Sequence, residues 1–198
     1  AAPTMTCFSH KLLHALARLH GWASTSFDVP SAYLKAPLHE PIVAYPASKQ
    51  FLYKDKHGVP YVHLYRTGVY GGKNCAGLWH REISNYLQSL GFISLVNLES
   101  VFLYQQGTEV LIVGLYVDDA ECFFNSSHLA QWFQDKMKKD FNVKFLGRVR
   151  WFLGQEIIYD DEKDTTTLSL RTYIESVAKK FGLDGTRKPT TPMEEDIL

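Results

Sequence analysis

Apolar and polar positions follow two rhythms along this chain of 198 residues. One returns every three to four residues and predicts helices; the other alternates or runs in short apolar blocks and predicts strands. Phe8 to His20 carries Leu12, Leu13, Leu16 and Leu19 as one helical stripe, and Gly21 suits its C-cap. Cys75 to Leu90 sets Trp79, Ile83, Tyr86, Leu87 and Leu90 at helical spacing, an aromatic stripe that reads as core, with Gly91 next. Ser127 is placed to cap a helix reaching Asp140, with Leu129, Phe133 and Met137 inward. Lys136, Lys138 and Lys139 near its end suit the helix dipole. Thr172 opens a last helix with Tyr173, Ile174, Val177 and Phe181 inward, stopped at Gly182.

The strand rhythm covers Ser24 to Val29, then Val101 to Gln105 and Val110 to Val117 about a Gln106-Gly107 turn. Val143 to Phe145, Trp151 to Tyr159 and Thr167 to Leu170 follow, with an acidic turn over Asp160 to Asp164. Phe51 to Lys54 and Tyr61 to Leu64 flank Asp55-Lys56-His57-Gly58 as a hairpin. Pro37 to Gln50 holds three prolines and reads as extended or irregular. Gly68 to Gly77 is glycine-rich but lacks the spacing and the Lys-Ser/Thr ending of a phosphate-binding P-loop. Short hairpin-connected strands with helices on one face make an α+β fold.

One stretch organises the rest. Val110 to Phe124, VLIVGLYVDDAECFF, is a buried hairpin with Asp118 and Asp119 at its tip. Each carboxylate raises the other's cost of ionisation, so the pair must be solvated or neutralised by a cation. A third carboxylate, Asp28, ends the Ser24–Val29 strand, just before Pro30 and a short helical segment, Ser31 to Lys35. The 118 − 28 = 90 residues between Asp28 and Asp118 are ample to cross a sheet and return. Converging carboxylates suit Mg²⁺, which prefers oxygen ligands and keeps positions for water and phosphate. Two such ions ~3.5–4 Å apart can activate a hydroxyl and stabilise a leaving oxygen.

Composition narrows this picture. Lys plus Arg is 21 and Asp plus Glu is 21, so any nucleic-acid surface must be local. Hydrophobic content of 45% indicates a folded chain. Cys7, Cys75 and Cys122 are far apart and odd in number, as for free thiols in a reducing compartment. No apolar run reaches the length of a membrane span and no secretory signal opens the chain. The expectation is an intracellular protein, in a cytoplasmic particle or the nucleus, not secreted and without a membrane partner. His10 and His14 are four apart, as two zinc ligands on a helix would be, but Lys11 stands where the accompanying glutamate belongs. The residue pattern therefore reads as a surface histidine pair.

Phe27-Asp28-Val29-Pro30-Ser31-Ala32-Tyr33-Leu34 together with Tyr116-Val117-Asp118-Asp119 resembles the polymerase motifs of reverse transcriptases, and more narrowly those of copia-type retrotransposons. Val69-Tyr70-Gly71-Gly72-Lys73 with Trp79 is similar to that family's Tyr-Gly-Leu-Lys loop and tryptophan. Phe145-Leu146-Gly147 with Trp151 to Ile157, and Tyr173-Ile174 with Thr191-Pro192-Met193, resemble its later blocks in order. The resemblance implies an RNA-directed DNA polymerase domain: a palm over residues 1–185 with part of the fingers and the start of the thumb. Residues 186–198 would then lead towards an RNase H region.

By the same resemblance, Asp28, Asp118 and Asp119 are the catalytic carboxylates. They hold two Mg²⁺ or Mn²⁺ ions with help from the Val29 carbonyl. Tyr33 lies under the incoming sugar and excludes a 2′-hydroxyl; Tyr70, Gly71 and Lys73 touch the incoming nucleotide and template; Tyr116 supports the primer end. The partners implied are an RNA or DNA template with its primer, deoxynucleoside triphosphates, and a second copy or other polyprotein domains. The chain departs from the family pattern at Glu121, where an apolar residue is usual, and at Lys35-Ala36, Gly72 and Asn74-Cys75. Glu121 is expected to crowd the metal site or to face solvent. The alternatives are a decayed copy that keeps the palm as a binding or scaffold module, and an unrelated metal-dependent hydrolase on the same carboxylates.

Overall fold

A computed structural model describes residues 2–45 and 53–183. Phe51, Leu52, the Thr191–Met193 motif and the 186–198 segment lie outside these described residues. The chain falls into two units, Ala1–Val149 and Arg150–Leu198. In chain order the first holds α1 (Cys7–His20), β1 (Ala23–Asp28), a 3₁₀ turn (Ala32–Lys35), β2 (Pro37–Ala44), β3 (His63–Thr67), α2 (Cys75–Ser89) and β4 (Ile93–Ser94). It continues with β5 (Val101–Gln106), β6 (Glu109–Tyr116), β7 (Asp119–Phe124), α3 (Ser127–Phe141) and β8 (Lys144–Gly147). The second holds β9 (Trp151–Phe152), β10 (Gln155–Asp160), β11 (Thr165–Ser169) and α4 (Arg171–Lys180).

The main sheet runs β4-β5-β6-β7-β1-β8, antiparallel throughout. Successive side chains on β7 alternate faces. Ala120 and Cys122 join the core built by Trp79, Ile83 and Leu87 of α2 and Leu129, Phe133, Met137 and Phe141 of α3. Glu121 and Phe123 point to the other face, where α1 lies: His10 and His14 bond to Glu121, and the His14 ring packs on Phe123. The helices are thus not all on one side; α2 and α3 share a face and α1 takes the opposite one.

This placement corrects the reading of α1. Thr6 caps the helix by accepting from the Ser9 N–H, and Gly21 ends it at φ 64°. The buried face is Ser9, His10, Leu13, His14 and Ala17, while Leu19 is 77% exposed. The histidines, read as a surface pair, face the sheet because a buried carboxylate awaits them there.

Other differences are local. Ser126, not Ser127, caps α3, its hydroxyl accepting from the Leu129 N–H at 3.2 Å. Of the stretch expected to be extended or irregular, Pro37–Ala44 is extended and forms β2, which pairs with β3 with a register shift between Pro37 and Ile42, while residues 46–50 lie outside the described residues. The strand expected over Tyr61–Leu64 instead begins at His63 and pairs with β2; of the expected hairpin, an isolated bridge between Lys54 and Pro60 remains. The Asp55 carboxylate holds that turn by accepting from the His57 and Val59 N–H groups. In the second unit, Leu153 and Gly154 at φ 50° and 73° break the expected Trp151–Tyr159 strand into β9 and β10, which pair with each other. α4 buries no residue; Tyr173, Ile174 and Phe181, expected inward, are exposed. The sheet of β9 to β11 buries only Phe152, Gln155 and Ile157, so an apolar stripe there finds little to pack on.

Candidate active site

The site starts from a sharp turn. Tyr116 ends β6 and pairs with Asp119, the first residue of β7, so the turn residues are Val117 and Asp118, one position earlier than the expected Asp118-Asp119 tip. Val117 sits at φ 58°, a left-handed conformation that a β-branched residue rarely adopts. Such strain costs about 1–3 kcal/mol and persists only where neighbours hold it. Two neighbours do. The buried Trp79 indole N–H donates to the Val117 carbonyl at 2.7 Å. The Val29 N–H donates to the Asp118 carbonyl at 2.9 Å.

The same bonds bring the first carboxylate in. β1 pairs with β7 so that Asp28 lies directly opposite Asp119, and Val29 is tied to Asp118. Burial pushes the Asp119 carboxyl up from its ordinary value, and the charges of Asp118 and then Asp28 push it further. Asp118 and Asp28 are therefore near enough for their charges to oppose the ionisation of Asp119. Asp28 and Asp118 are half-buried, and Asp119, partly covered by its neighbours, keeps a face open to solvent, so the acidic cluster is reachable from outside.

Aromatic and loop residues border this cluster. Tyr33 lies in the 3₁₀ turn that follows β1. Burial raises its phenol, with further contributions from Asp118, Tyr70 and Cys75. Its ring lies 4.8 Å from that of Tyr70. The Tyr70 loop is anchored from both ends. The Gly68 N–H donates to the Ala36 carbonyl at 2.9 Å, and the Val69 N–H points at the Cys75 sulfur at 3.3 Å. Gly68 has no room for a Cβ, which would stand 2.6 Å from the Tyr33 carbonyl oxygen. Gly71 turns the loop at φ 86°.

Of the residues singled out in the sequence, Asp28, Val29, Asp118, Asp119, Tyr33, Tyr70 and Tyr116 are thus brought together, with Gly71 in the same loop. Lys73 is not: it lines an open cleft with Leu38, His39, Glu40, Leu78 and Arg81, and none of the three aspartates borders that cleft. Trp79, expected in the core and matching the family's tryptophan, also fixes the turn through its indole N–H, a bond that neither expectation specified. Glu121 neither crowds the carboxylates nor meets solvent. It shares the face of Asp119 two residues deeper and is wholly buried under α1. His10 Nδ1 lies 2.9 and 3.1 Å from its two oxygens and His14 Nε2 lies 3.3 Å from Oε2. The sequence signal was there: a glutamate inside an apolar strand and a histidine pair on a helix, both visible, their meeting not.

A mixed α/β domain with antiparallel sheets and an acidic turn set against an acidic strand end is consistent with a fragment of a nucleic-acid polymerase. The family model described as "Reverse transcriptase (RNA-dependent DNA polymerase)" matches residues 1–195. The chain belongs to that family.

Its relatives come from transposons, and the copia-type resemblance is borne out. The chain is 29% identical over 195 residues to the Retrovirus-related Pol polyprotein from transposon RE1 of Arabidopsis thaliana, covering 97% of this chain and 13% of that protein. It is 27% identical over 155 residues to the corresponding RE2 polyprotein of the same plant, covering 78% of this chain and 10% of that one. A transposon Ty5-1 protein of Saccharomyces cerevisiae is 28% identical over 167 residues, 84% of this chain and 53% of its own length. The chain thus spans about a tenth of the two plant polyproteins it matches.

Proposed function

We propose that this chain carries the nucleotidyl-transfer site of an RNA-directed DNA polymerase, extending a primer on an RNA or DNA template with deoxynucleoside triphosphates. The observation that carries the reading is the convergence of Asp28, Asp118 and Asp119: Asp28 lies opposite Asp119 in the sheet, Val29 is tied to Asp118, and the Asp119 carboxyl, raised first by burial, is raised further by the charges of Asp118 and Asp28. Repulsion of this kind is what a divalent cation relieves, and an all-oxygen donor set suits Mg²⁺ or Mn²⁺. Asp28, Asp118 and Asp119, with the Val29 carbonyl, would hold two such ions. When bound, they would supply the charge that activates a primer hydroxyl and stabilises departing pyrophosphate.

The protein's own work is positioning. The Trp79 and Val29 bonds hold the turn, so Asp118 need not reorganise when charge develops. Tyr33, beside Asp118 and Tyr70, presents a ring where the sugar of an incoming nucleotide would lie and offers a 2′-hydroxyl no room. Gly71 lets the loop bend so that Tyr70 reaches this ring. Tyr116, across from Asp119, would bear on the primer end. Palm, fingers and thumb are the corresponding assignments: the main sheet as palm, β2 and β3 as part of the fingers, and the region from Arg150 as the start of the thumb.

Primer extension on an RNA template with Mg²⁺ or Mn²⁺ tests the reading. Extension by the native chain and its loss in Asp118→Asn supports it; equal activity in the variant refutes the assignment. Release of nucleoside monophosphates without extension identifies a hydrolase, and template binding without either identifies a scaffold module.

A further inference from the structure

We propose that His10, His14 and Glu121 form a second metal site, built for a divalent transition-metal ion, Zn²⁺ by its donor set, that pins α1 to β7. The proposal is independent of the polymerase reading.

Two imidazoles one helical turn apart on α1 and one carboxylate from the middle of β7 aim at a common point. Their donor atoms all lie within 4.8 Å of one another. To one shared oxygen, Glu121 Oε2, His10 Nδ1 and His14 Nε2 lie at 3.1 and 3.3 Å, against a tetrahedral edge of about 3.3–3.5 Å for zinc bonds of 2.0–2.2 Å. His₂Glu plus one water is a known zinc donor set. All three side chains are buried, His10 and Glu121 completely. A buried carboxylate needs a compensating positive charge, and a divalent ion would supply it while engaging both rings at once.

The neighbourhood is built to be firm. The two histidine rings meet edge to face at 4.7 Å, and His14 packs the same way on Phe123 at 4.9 Å. Met5, just before α1, is tied to the sheet by its N–H to the Leu115 carbonyl at 2.8 Å. The two proposed sites on β7 then have opposite tastes. The all-oxygen aspartates suit Mg²⁺, while nitrogen donors from two imidazoles select zinc-like ions over Mg²⁺.

The test uses the full chain, stripped with a chelator and returned to buffer containing millimolar Mg²⁺, with Zn²⁺ alone as the probe. Competition against a chromophoric chelator should show one tight Zn²⁺ per chain that Mg²⁺ does not displace. Co²⁺ in its place should give the visible absorption of a tetrahedral ion. At about 100-fold excess over Kd, Zn²⁺ should raise Tm by roughly 5–10 °C. The triple variant His10→Leu, His14→Leu, Glu121→Leu fills the space with apolar groups; folded, it should bind Zn²⁺ at least ~100-fold more weakly and lose the shift. Should it fail to fold, Glu121→Gln, which keeps shape and hydrogen bonding but not the charged donor, decides by the same measurement. A native chain that takes up no stoichiometric Zn²⁺ overturns the proposal and leaves a metal-free histidine–glutamate hydrogen-bond cluster. So does a folded variant that binds as tightly as the native chain.

Discussion

Trp79→Phe puts the turn to the test. Phenylalanine keeps a ring in the buried site but removes the indole N–H that meets the Val117 carbonyl at 2.7 Å. A carbonyl left without its donor costs about 1–3 kcal/mol, and the smaller ring in a fully packed core adds about 1 kcal/mol. The expected loss of about 2–4 kcal/mol corresponds to roughly 4–16 °C in Tm for a chain of this size. The cause is separable by a double-mutant cycle with Val117→Gly, because glycine adopts φ 58° without strain. In the glycine background the turn can rotate its carbonyl towards water, so Trp79→Phe should cost less there, by at least ~0.5 kcal/mol. Urea unfolding of the four proteins measures this without any reference to polymerase activity. A cost below ~0.5 kcal/mol in the native background, or equal costs in both, would refute the claim that the indole holds a strained turn.

Three further outcomes follow from the site. Asp119 has its folded pKa raised above the ordinary value of 3.8, so the folded chain binds the extra proton and its stability falls as pH rises through the window just above 3.8. Asp119→Asn should therefore be more thermostable than the native chain at neutral pH in chelator, the gap closing at more acid pH; a pH-independent difference in Tm contradicts this. Gly68→Ala drives a methyl group onto the Tyr33 carbonyl oxygen at 2.6 Å and should cost about 1–3 kcal/mol by overpacking, read by the same urea titration; a neutral result would mean the loop and the 3₁₀ turn are not locked together. Tyr33→Val opens the space beside the sugar. The preference for deoxynucleotides over ribonucleotides in single-nucleotide extension should then fall by about 10–200-fold, and an unchanged preference removes Tyr33 from that role.

What could be read in advance divides along a physical line. Strands β5, β6 and β7 and helices α2 and α3 are legible because each carries an apolar run or stripe, and Asp118 and Asp119 stand out as charges at the end of such a run; β1, which buries Thr25, Ser26 and Phe27, is signalled more weakly, and Asp28 stands out by its place just before Pro30. α1 was misoriented because its leucines outvoted its histidines. In a sequence, Leu12, Leu13, Leu16 and Leu19 look like the buried face; Leu13 is buried, Leu12 and Leu16 only partly so, and Leu19 is exposed, and nothing local says that Glu121, more than a hundred residues on, will turn the helix about its axis. The Trp79 bond was invisible for the same reason: a tryptophan supplies both a large apolar ring and one donor, and only the fold reveals which carbonyl the donor meets. Single polar atoms inside apolar elements are thus where pattern reading fails. In this chain two of them, the Trp79 indole nitrogen and the Glu121 carboxylate, fix the hairpin that carries Asp118 and Asp119. One grips its turn from the α2 side, while the other anchors β7 to α1 on the opposite face. The acidic tip is held from both faces of the sheet by polar contacts whose partners lie far off in sequence, so substitutions at either contact should be felt at the carboxylates.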